Sequence, residues 1–240
     1  MNFVDEGYII KAQKHGESSL ILTVVTRGNG KITGYVRGAL SKKSLGVYQI
    51  GNQIRVEAYA RVEENMLSLK CELIMPLAVN FMYDPKKLAC LSAFCALCNA
   101  CLASQQPLER FYYYIESFFL LALEDNWLTH YSYFEFYLLD FLGVGLDLTE
   151  CSATGSCENL EYVSPKSAKA VSMEAGAPYR DKLFVFPHYI LRNNYYPQGI
   201  EIKNLLVMTG FFLNKNFFQT HNLKFPQSRA NLLQALGYLS

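Results

Sequence analysis

Over roughly the first seventy-five residues, apolar and polar positions alternate in short runs separated by turn-forming residues. Residues 7–12, 19–26, 31–37, 53–62 and 66–73 each have the length and the β-branched or aromatic content of a strand. The connections His15-Gly16-Glu17, Gly28-Asn29-Gly30 and Glu63-Glu64-Asn65 are turn-prone. Five short strands in so short a stretch predict a small closed barrel of the OB type over residues 1–80. Strict alternation from Gln53 to Tyr59 predicts that one face of that strand is wet.

The pattern changes between residues 76 and 85. Asp84-Pro85 reads as a helix start, a capping side chain followed by proline at the first helical position. Helices are expected over 85–104, 107–126 and 129–143, with Pro107 opening the second, Thr129 capping the third, and Gly143 and Gly145 ending it. Residues 146–198 contain Gly155, Pro165, Gly176, Pro178, Pro187 and Pro197 and show no clear period, which predicts an irregular insert. Within it, the apolar run 183–186 is expected to pack on the helices. Helical pattern returns at 199–218 and 226–238. The fold class is therefore α+β: a five-stranded barrel, then a mainly helical domain over 81–240 with an irregular insert.

Composition supports a sizeable core, since 51% of the 240 residues are hydrophobic and 14% aromatic. The net charge is only +1, yet the charge is unevenly placed. Lys11, Lys14, Arg27, Lys31, Arg37, Lys42 and Lys43 fall between residues 11 and 43, where Glu17 is the only acid. A basic stretch on a small barrel is a usual way to hold a nucleic-acid backbone. Strand edges also carry lysine to resist aggregation, so charge alone leaves both readings open. Tyr8, Tyr35 and Tyr48 are candidates for stacking on bases, although partial burial is the simpler reading for each.

Seven cysteines, four of them between residues 90 and 101, and no secretory-signal pattern at the start suggest a reducing, cytoplasmic setting with free thiols. Cys95-x-x-Cys98-x-x-Cys101 resembles an iron–sulfur run, but it lies in an apolar helical stretch, where cysteine acts as a small hydrophobe. The aromatic clusters at 111–114, 131–136 and 217–218 read as helix-packing core. The longest apolar runs, such as 118–123, are too short to span a bilayer, so no membrane is expected. The four histidines lie in separate segments, and no phosphate-binding glycine loop or nucleophile motif is present. The chain is expected not to be an enzyme.

Three separated regions then resemble one family. Gly16-Glu17-Ser18-Ser19, Thr26-Arg27, Gly30-Lys31 and Arg37-Gly38-Ala39 are similar to the N-terminal domain of bacterial RecO recombination mediators. Cys151 to Gly155, Tyr162 to Lys166 and Ala170-Val171-Ser172 resemble the family's insert, and Ser228 to Leu233 resembles its C-terminal helix. The resemblance implies an OB domain, a helical domain with a zinc-ribbon-like insert, and an activity in DNA repair. It implies binding of single- and double-stranded DNA, annealing of strands, and loading of recombinase, together with RecR, onto strands coated by single-strand-binding protein. That protein's acidic, apolar tail needs an apolar pocket with a cation at its rim, for which Lys86, Lys87 and Arg110 are candidates.

Zinc is a departure from the family pattern. Many members have four insert cysteines; here only Cys151 and Cys157 remain, with His188 the nearest other ligand type. Two thiols leave a tetrahedral site half filled, so no zinc or other cofactor is expected. An RNA-binding OB module is the alternative function, and an enzyme using the cysteines is a more distant one.

Overall fold

The computed structural model describes residues 2–41, 44, 46–60, 66–192 and 195–238. Strands β1 (Asn2–His15), β2 (Ser19–Thr26), β3 (Gly30–Val36), β4 (Gln53–Tyr59) and β5 (Leu67–Met75) close into a barrel in the order β1-β2-β3-β5-β4. All neighbours are antiparallel except β3 and β5, which close the barrel as a short parallel pair through Gly34↔Leu67 and Tyr35↔Ser68. A Cβ at Gly34 would sit 2.6 Å from Leu69 Cγ, so the closure requires glycine there. Ile9, Leu22, Val24, Ile32, Ile54 and Val56 fill the interior. β1 is longer than the pattern predicts and carries an irregularity between Ile9 and Lys11.

The helices are α1 (Val79–Met82), α2 (Pro85–Cys101), α3 (Tyr112–Leu120), α4 (Trp127–Phe141), α5 (Met173–Gly176), α6 (Gly199–Phe212) and α7 (Gln227–Ala235). Asp84 caps α2 as expected: its Oδ1 accepts from the Lys86 and Lys87 amides at 2.8 and 3.3 Å. Two expected starts are displaced. Pro107 does not open a helix; a single 3₁₀ turn at Glu109–Phe111 precedes α3. Thr129 does not cap α4, which begins at Trp127 and buries Thr129 inside it. Gly143 ends α4 at φ +71°, its amide donating to Asp140 O.

The insert is more regular than its sequence suggests. Strands β6 (Leu160–Val163), β7 (Ala170–Ser172) and β8 (Phe184–Val185) form a three-stranded sheet in the order β7-β6-β8. Strands this short leave too few positions for a period to show.

The chain divides into two compact units, Met1–Leu123 with Pro226–Ser240, and Glu124–Phe225. In the first, α2 and α3 pack with the barrel: Tyr8 of β1 is fully buried and stacks on Phe119 of α3, centroids 4.3 Å apart. Cys90, Cys95, Cys98 and Cys101 are buried on α2, and burial pushes the Cys95 and Cys98 thiols well up. Neutral, enclosed thiols are packing groups. In the second unit, Glu135 of α4 is fully buried and accepts from Thr209 Oγ1 of α6 at 2.6 Å. Phe184 packs against Phe211 and Phe212 of α6 with centroids 5.2 and 5.7 Å away, and Phe186 is buried.

Candidate nucleic-acid interface

Side chains alternate along a strand, so residues between the core positions of β1, β2 and β3 face outward. The register places Lys11, Thr23 and Thr33 in one outward row, and Gln13, Ile21 and Tyr35 in the next. Thr23 and Thr33 hydroxyls lie 3.1 Å apart. The Tyr35 hydroxyl donates to Ser19 Oγ at 2.7 Å. His15 packs against the Tyr35 ring almost perpendicularly, at 87° with centroids 5.5 Å apart. Gln13, His15 and Thr33 are exposed and Tyr35 is half-buried.

Two of the predicted cations stand at one end of these strands, Lys14 in the row of the core residues and not in the row of Tyr35. Lys14 is in register with Leu20, and Leu20 with Val36, the residue before Arg37. Lys14 and Arg37 are both exposed. The Leu40 amide donates to Ser18 O at 3.1 Å, tying the start of the long connection to the β1–β2 turn. Lys42 and Lys43 lie outside the described residues.

The other predicted cations are placed differently. Arg27 occupies the β2–β3 turn at the opposite end, its guanidinium 5.9 Å from the Tyr112 ring centre. It shares a cavity of about 450 Å³ with Asp5, Glu6, Arg55 and Glu116. Asp5 Oδ2 accepts from the Gly28 and Asn29 amides at 3.1 Å each and from Asn29 Nδ2 at 2.7 Å, so the turn is held by an acid. Gly30 closes it at φ +62°, where a Cβ would collide with Gln106 O at 1.8 Å. Lys31 Nζ donates to Asn99 O of α2 at 2.6 Å. Burial holds its ammonium below the usual lysine pKa, and the nearby Lys11 charge acts in the same direction.

Lys11 stands at the rim of a groove of about 490 Å³ between the barrel and α1–α2, with Ile50, Met82, Leu88, Leu91 and Ala96 along its wall. None of Lys86, Lys87 and Arg110 lines it. Lys87 Nζ instead donates to Ala122 O at 2.6 Å, while Lys86 and Arg110 are exposed. Of the three candidate tyrosines, Tyr8 is enclosed and Tyr48 is partly buried against the barrel core. Tyr35 alone of the three lies on the outward face. His15 is a contributor that sequence reasoning missed, because only the β1–β2–β3 register brings it to Tyr35.

A family model described as "Recombination protein O N terminal" matches residues 1–76, and one described as "Recombination protein O C terminal" matches residues 82–207. The chain belongs to the RecO family. A RecO described as "DNA repair protein RecO" from Wolbachia pipientis wMel is 37% identical over 98% of this chain and 100% of its own length. RecO proteins described in the same words from Mesorhizobium japonicum and Caulobacter vibrioides are 35% and 34% identical, over 98% and 99% of this chain and 94% and 98% of their own lengths. RecO membership supports a role in DNA repair, and the barrel at 1–76 is the expected OB-like domain. No helix among the described residues is long and apolar enough to cross a membrane.

Cys151, Cys157 and His188 are the insert's ligand-type residues for the zinc that the RecO resemblance implies. Cys151 is buried, and its Sγ accepts from the Ser172 amide at 3.2 Å and lies 3.4 Å from the Ser172 hydroxyl. Burial raises its pKa, but hydrogen bonds from Ser172, Thr154 and the Ala153 amide outweigh that and bring it down to about 6. Cys157 is exposed, and His188 Nε2 is engaged with Glu161 Oε2 at 3.1 Å. Among the described residues no three Cys, His, Asp or Glu side chains gather as a metal site.

Proposed function

We propose that this chain is a non-enzymatic recombination mediator that binds single- and double-stranded DNA on the outward face of β1–β3 and anneals complementary strands. The observation that carries the reading is the exposure of Lys14 and Arg37 at the end of the strands that present a polar, aromatic face on an OB-like barrel. Cations neutralise phosphates and release counterions, and this lowers the repulsion between two approaching strands. Lys42 and Lys43 follow Arg37 in sequence and extend the same basic stretch. Lys31 and Arg27 contribute less, because one is bonded to α2 and the other sits among carboxylates.

The partners in this reading are RecR and the acidic, apolar tail of single-strand-binding protein. The groove beside Lys11 has the chemistry such a tail needs, an apolar wall with a cation at the rim. It suits the tail better than the surroundings of Lys86, Lys87 and Arg110. No zinc is required, and the protein works in the cytoplasm at the nucleoid. A strand-annealing assay with strands coated by single-strand-binding protein tests DNA binding, partner recognition and function together. Matched DNA and RNA strands in the same binding assay separate this reading from an RNA-binding module, because only a 2′-hydroxyl contact distinguishes the two polymers.

A further inference from the structure

We infer that His15 and Tyr35 form the platform on which an unpaired nucleobase stacks, so that the barrel face reads single-stranded DNA through its bases as well as its phosphates. The inference rests on the proposed DNA-binding role of this face and names the side chains that would contact bases. An aromatic ring serves as a stacking platform when it is held rigidly and has a face open to solvent. Tyr35 is anchored by its hydroxyl on Ser19 Oγ at 2.7 Å, and Ser19 itself is buried. Its ring is braced at nearly a right angle by the exposed His15. Two perpendicular rings present aromatic surface in two directions, and a base can lie on one while its edge meets the other.

The surroundings match a nucleotide. Ile21 lies beside Tyr35 in the same row and Gln13 follows it, exposed, with an amide that can donate to or accept from a base edge. Lys14 precedes His15 and Arg37 lies two residues beyond Tyr35, and both are exposed at the end of the strands that carry the pair, within reach of the backbone of a bound strand. In a duplex each base already has neighbours on both faces, so this surface is open only to single strands and frayed ends. Stacking is tolerant of sequence because every base has a π face. That tolerance suits a protein that must act on any strand.

The test compares full-length protein binding to a short oligodeoxythymidylate and to an abasic strand of equal length, at one salt concentration. The wild type is expected to prefer the base-bearing strand by roughly 5- to 150-fold per stacked base, the factor equivalent to about 1–3 kcal/mol. Tyr35→Ala and His15→Ala are expected to lose that preference and keep the abasic-strand affinity, whereas Tyr35→Phe, which retains the ring, keeps the preference. His15 is exposed, so its replacement provides a folded variant even if Tyr35→Ala is unstable. Equal wild-type affinity for both strands, or a preference surviving either alanine substitution in folded protein, overturns the platform and leaves phosphate binding standing. Failure to bind either strand overturns the underlying DNA-binding reading together with it.

Discussion

Lys31 Nζ donates to the carbonyl oxygen of Asn99 at 2.6 Å, joining the third strand of the barrel to the last turns of α2. The Gln105 amide returns a hydrogen bond to Lys31 O at 2.9 Å, so strand and helix end are linked in both directions. A cation beside helix carbonyls is favoured by the helix dipole and satisfies an acceptor that the helix leaves open.

Lys31 is therefore expected to act on stability more than on DNA. Lys31→Met should cost about 1 kcal/mol, the usual net worth of such a bond at a half-exposed site. The salt dependence of DNA affinity should stay as in the wild type. Thermal unfolding and a salt titration on the same variant check both halves.

The insert should be held by one ring more than by its neighbour. Phe186 is buried, and Phe186→Ala is expected to cost about 3–5 kcal/mol. Phe184 lies on Phe211 and Phe212 but is only half-buried, so Phe184→Ala should cost about 2 kcal/mol. Urea unfolding of the two variants should give that order.

Acid should loosen the start of the insert. Hydrogen bonds from Thr149 and Lys169 hold the Asp147 carboxyl down to about 2, below the ordinary 3.8. A depressed acid stabilises the fold above its ordinary pKa, and that contribution is lost as pH falls through the folded value. The window is thus from about pH 4 down to about pH 2. Asp147→Asn should lower the urea midpoint at neutral pH, and its difference from the wild type should vanish at the acid end of that window.

Chelation should change nothing. With Cys151 satisfied by Ser172 and Cys157 exposed, the melting temperature is expected to be the same with and without EDTA, and elemental analysis should find far less than one zinc per chain. A melting point that drops on chelation and recovers with zinc would restore the metal.

The barrel and the helix starting at Pro85 could be read from the chain because their signals are local. β2 is a short, almost continuous apolar run rich in β-branched residues, and Asp84 caps within its own turn. The start of α4 could not, because Thr129 looks like a cap yet is buried inside the helix by tertiary packing. The insert's sheet was hidden by strands of two to four residues. The basic stretch itself was visible, but its division was not. Asp5 reaches the Arg27 turn from 23 residues away, and Asn99 takes Lys31 from 68 away. Neither contact leaves a mark at short range, and the His15–Tyr35 pair depends on the register of three strands.

The measurement that tests the account most directly is the salt dependence of single-stranded DNA affinity for the wild type and for a variant lacking the charges of Lys14, Arg37, Lys42 and Lys43. If the basic stretch neutralises about four to six phosphates, log affinity should fall against log salt with a slope of about −3 to −4 in the wild type. The folded variant should show a slope nearer zero, while removing Arg27 alone should have little effect. An unchanged slope in the four-residue variant, or a loss produced by Arg27 alone, would contradict the placement of DNA on this face.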